Sequence, residues 1–75
     1  SYLRSHLLRS PVDFEIYIAH NLGPRGAVNL LTADHKERVT SSLIGSNPAH
    51  NPHFLMSNGH AVTAGEALSR YKSYF

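Results

Sequence analysis

The stretch Glu15-Ile16-Tyr17-Ile18-Ala19-His20-Asn21-Leu22-Gly23-Pro24-Arg25-Gly26-Ala27 constrains this chain more than any other. Phe14, Tyr17, Ile18 and Leu22 recur at i, i+3, i+4 and i+8, which places them on one apolar stripe of a helix. Pro11 precedes that helix, and Asp13 and Glu15 fall in its first turn, where the helix dipole favours anions. Gly23 is suited to the left-handed conformation that ends a helix, and Pro24 to the first position of the next. Ala27, Val28, Leu30 and Leu31 then continue as a short apolar helix ending near Thr32. Two helices joined by so tight a break have their crossing fixed locally.

The rest of the chain reads as further short helices. Leu3, Leu7 and Leu8 give a helix over residues 2–8, broken before Pro11. Asp34 is placed to cap a helix running through Lys36, Glu37, Arg38 and Val39 to Leu43 and Ile44. Asn47-Pro48 and Asn51-Pro52 bracket a single turn, and Ser57-Asn58-Gly59 signals a second one, in a hairpin or an extended loop near 54–62. Thr63-Ala64-Gly65-Glu66 fits a capping box, with Thr63 as N-cap and Glu66 reaching back to its amide. Ala67, Leu68, Tyr71 and Phe75 form the inward stripe of that last helix. The expected fold is all-α: a small bundle of four to five short helices around Leu7, Phe14, Tyr17, Ile18, Val28, Leu31, Leu43, Phe54, Leu68 and Tyr71.

Seventy-five residues make one domain, residues 1–75, with a marginal core. The start at Ser1 without methionine gives the expectation of a fragment or processed product of a larger protein. There are no cysteines, so neither disulfides nor thiolates contribute. No run approaches the ~20 apolar residues of a membrane span. The formal charge of +2 is too small, and its Lys and Arg too scattered, to argue for nucleic acid on charge alone. Six histidines are the unusual component, able to add charge between pH 7 and pH 5.

Tyr17-Ile18-Ala19-His20, then Leu22-Gly23, then Gly26-Ala27, resembles a "YLAHFLG…GA" signature of lytic transglycosylase-type peptidoglycan-degrading proteins of bacteria and phages. In those proteins it sits in a small helical region beside or after the lysozyme-like domain. Ala49-His50-Asn51-Pro52-His53-Phe54 is similar to the family's "AANPxIF" segment, and Gly59 with Thr63-Ala64-Gly65-Glu66 to its closing "G…T..E" helix. The resemblance spans roughly residues 11–72. Asn21 departs from it, standing where an aromatic is common, and Leu68-Ser69 stand near a usual Val-Tyr pair. The glutamate in an Glu-Ser context on which the family's catalysis depends is not matched here. The resemblance therefore implies a non-catalytic module that supports or positions the catalytic domain of the same polypeptide on peptidoglycan, in a virion or the periplasm.

No catalytic residue, cofactor site or metal site is assigned. His50, His53 and His60 are a conceivable imidazole set, but His50 and His53 flank a proline break and no HExxH pattern exists. His20 suits a helix C-terminus, where imidazolium meets the dipole. Gly23-Pro24-Arg25-Gly26 lacks the strand and the Lys-Ser/Thr of a phosphate loop, and close helix packing explains it more simply. Tyr71 is read as packing inward, with Arg70 and Lys72 as a solvated face. The expected contact surface is Tyr17, His20, Arg25, Asn51 and Phe54. The alternative is a DNA- or assembly-contacting module of a phage particle, in which Arg25 and Asn29 lie on the second helix of a helix-turn-helix-like pair.

Overall fold

The computed structural model describes residues 2–75. Five α-helices, one 3-10 turn and one minimal hairpin follow in order: α1 (Tyr2–Leu7), α2 (Asp13–Thr32), α3 (Ser41–Ile44), the 3-10 turn (Pro48–His50), α4 (Pro52–Leu55), β1 (Met56–Ser57), β2 (His60–Ala61) and α5 (Ala64–Tyr74). The fold is mostly α, as the spacing predicts. α2 is the spine, in contact with α1, α3 and α5, while α4 packs on α5.

α2 is two helices, residues 13–22 and 24–32, meeting at Gly23. The glycine is at φ 79°, ψ 162°. That is positive φ with extended ψ, rather than the left-handed helical conformation expected from the sequence. Pro24 supplies the reason, because a residue before proline is pushed away from helical ψ. Just past the kink, a Cβ on Gly26 would stand 2.7 Å from the Ile44 carbonyl oxygen. The missing side chain is what lets α3 lie against α2. Asn29 holds the same contact by donating its amide to the Leu43 carbonyl at 2.9 Å.

The core runs along this spine. Ile18, Leu22, Ala27, Val28 and Leu30 from α2 meet Leu3, Ile44, Phe54, Leu55, Ala67, Leu68 and Tyr71. Of the residues expected there, Leu7, Phe14, Tyr17, Leu31 and Leu43 are only partly buried and pack against its edge. Two apolar residues of the expected helical stripes, neither of them in the expected core, point elsewhere. Leu8 is 90% exposed, because α1 ends at Leu7 and Leu8 turns to φ 59°. Phe75 is 64% exposed, because the helix stops at Tyr74 and the next residue leaves its periodicity.

The middle of the chain departs most from expectation. Asp34 caps no helix through Val39; its carboxylate accepts from the Lys36 amide at 2.8 Å and its carbonyl from the Glu37 amide at 3.0 Å. Such a side-chain turn competes with helix for the same amides. The chain then runs extended, with the Val39 amide donating to the Val62 carbonyl at 2.9 Å and Arg38 bridging antiparallel to Thr63. This pairing buries Val39 and Val62 completely or nearly so. Helix resumes only at α3, where the Thr40 hydroxyl accepts from the Leu43 amide at 3.1 Å.

Asn47 caps the 3-10 turn through the Ala49 amide at 2.9 Å, and Pro52 opens the single turn of α4. The hairpin resolves the choice left at 54–62: Met56 pairs with Ala61 and Ser57 with His60 across Asn58 and Gly59. Both turn residues have positive φ, 50° and 80°, the requirement of a type I′ turn. Thr63 caps α5 by accepting from the Glu66 amide at 3.3 Å. The Ala64 and Gly65 amides find the Glu37 and His35 carbonyls at 2.7 and 3.0 Å, which ties the helix start to the Asp34 turn.

Candidate functional site

The surface with most chemistry on it is the outer side of α5. Glu66, Ser69, Arg70, Ser73 and Tyr74 recur at helical spacing and, with His53 of α4 opposite, line an open groove of about 670 Å³. Arg70 organises its floor. It donates from Nε to the Glu66 carboxylate at 3.1 Å, and from Nη1 to the carbonyls of Met56 at 2.7 Å and His53 at 3.3 Å. The sequence reading of Arg70 as part of a solvated face is thereby corrected. A helix-borne guanidinium reaches three segments because α4 and the hairpin turn their free carbonyls toward α5. Glu66, in turn, spends its carboxylate on this ion pair.

An aromatic cluster adjoins the groove. Phe54 stacks on Tyr71 with centroids 4.1 Å apart, and Tyr17 stacks on Tyr74 at 5.1 Å. Tyr17 also meets Phe54, Tyr71 and Phe75 edge-on at 5.9, 6.2 and 5.4 Å, all within the range of favourable ring contacts. Tyr74 remains 57% exposed. Its phenol is raised above its ordinary value, first by a hydrogen bond with Tyr17. The Tyr71 hydroxyl lies buried without a hydrogen-bond partner, and burial pushes its ionisation up as well.

Of the five expected contact residues, Tyr17 and Phe54 come together in this cluster. Phe54 is buried there, so it supports the surface more than it forms it. His20 is exposed on the first half of α2. Asn51 opens α4, its carbonyl accepting from the Phe54 and Leu55 amides at 3.2 and 3.0 Å. Arg25 lies on a separate concavity of about 570 Å³ at the kink, beside Tyr2, Leu22, Pro24 and Ile44.

His50, His53 and His60 stand on the 3-10 turn, α4 and β2. Among the described residues no group of three His, Asp or Glu side chains could hold a metal ion. No described helix is long and apolar enough to cross a membrane.

Sequence reasoning missed His53, Ser69, Ser73 and Glu66 as a set. The polar i, i+3, i+4, i+7, i+8 stripe on α5 was the available signal for all but His53, whose position depends on tertiary packing. Reasoning also missed the burial of Glu15, which is 2% exposed. Its carboxylate accepts from Arg9 at 2.8 and 2.5 Å and from the Val12 amide at 2.9 Å. The Arg9 hydrogen bond holds this carboxyl below its usual range, against the opposing effect of burial.

No family model matches the chain, and no curated protein or solved structure matches it either.

Proposed function

We propose that this chain is a non-catalytic helical module of a lytic transglycosylase-like, peptidoglycan-degrading protein, in which it supports or positions the catalytic domain on the cell wall. The observation that supports this reading is where the residues of the resemblance fall. Gly23 makes the kink, Gly26 admits α3, Ala27 is buried at the crossing and Thr63 caps α5. The shared pattern is thus a scaffold pattern, which suits a positioning role. The carboxylates Glu15 and Glu66 are engaged with Arg9 and Arg70, which suits support rather than proton transfer. Asn29, which the DNA alternative offers to bases, donates its amide to Leu43 instead.

Pulldown on purified peptidoglycan sacculi, in parallel with duplex DNA at low and moderate salt, tests the proposal. Retention on sacculi without DNA binding is the expected result. DNA binding that weakens steeply with salt, with no retention on sacculi, would overturn it.

A further inference from the structure

The chain has four tyrosines, no cysteine and no tryptophan. When a one-electron oxidant takes a tyrosine to its phenoxyl radical, those two missing side chains are the usual quenchers. A thiol reduces the radical, and an indole gives up an electron in its place. The single methionine, Met56, is oxidised by oxygen transfer to a sulfoxide and does not replace them. A radical formed here therefore stays on tyrosine, and its natural fate is to couple with a second tyrosyl.

The aromatic cluster sets which two tyrosines meet. Tyr17 and Tyr74 stack on one another, with centroids 5.1 Å apart and 19° between the planes. Phe54 touches both rings edge-on, at 5.9 Å from Tyr17 and 5.4 Å from Tyr74. Phe75 does the same at 5.4 and 5.6 Å. These phenyl rings carry no hydroxyl proton to lose, so they hold the pair without competing for oxidation. Tyr74 is 57% exposed, within reach of an oxidant, and Tyr17 is half-buried behind it. The other two tyrosines are placed differently. Tyr71 is buried against Phe54, and its hydroxyl has no acceptor for the proton it would have to lose. Tyr2 stacks on His6 within α1.

We propose that Tyr17 and Tyr74 form a site of oxidative cross-linking, in which a bond joins a Cε carbon of one ring to a Cε carbon of the other. Two equivalents of a one-electron oxidant take one electron from each phenol, and each hydroxyl proton passes to water. The two phenoxyl radicals pair their unpaired electrons in the new carbon–carbon bond. The hydrogen on each bonded carbon then shifts through solvent to the oxygen of its own ring, which restores two phenols. The product is lighter by two hydrogen atoms, matching the electrons and protons released. Holding both rings in one chain favours this coupling over an encounter between molecules. The rings must turn from a stack to meet edge to edge, a motion open to Tyr74 because it faces solvent. The link staples the end of α5 to the first half of α2.

Illumination of the chain at low micromolar concentration with ruthenium(II) tris-bipyridine and persulfate, a source of one-electron oxidant, tests the proposal. A monomeric product with dityrosine fluorescence is expected, with tryptic peptide 10–25 joined to peptide 73–75. Tyr71 falls in the separate peptide 71–72, so the two neighbouring tyrosines are told apart. Tyr74→Phe keeps the ring and should lower the yield of this link by roughly tenfold or more. Tyr2→Phe and Tyr71→Phe should leave it unchanged. Unfolding in urea before illumination should lower the yield as Tyr74→Phe does, because the stack is lost. Linked protein should melt higher than unlinked by roughly 10 °C, since the bond closes a loop over most of the chain. Covalent dimers as the main product, a link carrying Tyr2 or Tyr71 instead, an equal yield in urea, or linked and unlinked protein melting together would each overturn the proposal.

Discussion

Glu15 is the residue whose environment contributes most beyond its type. A buried carboxylate is costly unless its charge is matched and its lone pairs are filled, and here Arg9 and the Val12 amide do both. Because the Arg9 side chain is about half exposed, the pair is partly screened. Glu15→Gln should therefore cost about 1–2 kcal/mol at neutral pH, read from urea unfolding. The folded-state pKa lies below the ordinary 4.5, so the contribution of the charge is fully present above that value. It is lost as the pH falls through the folded value, and the gap between wild type and Glu15→Gln should close in that acid window. Tyr71 presents the opposite situation, a buried hydroxyl with no partner. Tyr71→Phe should leave stability unchanged or raise it by up to about 1 kcal/mol, since an unmet polar group carries its desolvation cost. At this scale the sequence was a partial guide. Tyr71 was legible as core from its spacing, and Glu15 only as a first-turn anion. Its burial depends on Arg9 folding back from beyond α1, and the five residues of irregular chain between α1 and α2 carry no periodic signal.

Among the elements, the kinked α2 decides the architecture. Gly23 sits in a region of backbone space that other residues reach only under strain, and Gly23→Ala should cost about 1–3 kcal/mol. Gly26→Ala has a different cause, since its Cβ would press on the Ile44 carbonyl, which is backbone and cannot rotate away. A cost of about 1–3 kcal/mol is expected there too, accompanied by loosening of α3. Hydrogen exchange separates the two, because Gly26→Ala should speed the α3 amides selectively and Gly23→Ala the whole of α2. Both glycines were legible as punctuation, and the Thr63 cap as a helix start. Residues 34–39 were not. Asp34 followed by Lys36 and Glu37 has the composition of a helix start, and only Val62, twenty-three residues beyond Val39, tips the segment to extended pairing.

For the molecule as a whole, the fold class followed from short apolar stripes separated by prolines and glycines, and the aromatic cluster did not. Tyr17, Phe54, Tyr71 and Tyr74 come from three helices, so their convergence is set by tertiary packing and not by any local spacing. Cohesion is uneven across the molecule. α1 contributes only Leu3 to the buried core, whereas α5 contributes Ala64, Ala67, Leu68 and Tyr71. Native-state hydrogen exchange should therefore open α1 well below the global unfolding free energy while α5 exchanges only through it.

The turn at Asn58 and Gly59 adds a chemical timescale. An exposed asparagine followed by glycine, whose lack of a side chain leaves its amide nitrogen unhindered, is prone to close into a succinimide and reopen largely as isoaspartate. That product would thread an extra methylene into the backbone of a two-residue turn and remove the match between Met56 and Ala61. The positive φ at both positions holds the nitrogen in a fixed place, so cyclisation awaits transient opening of the hairpin. Ageing of the protein would thus be recorded at one bond, in the turn between β1 and β2.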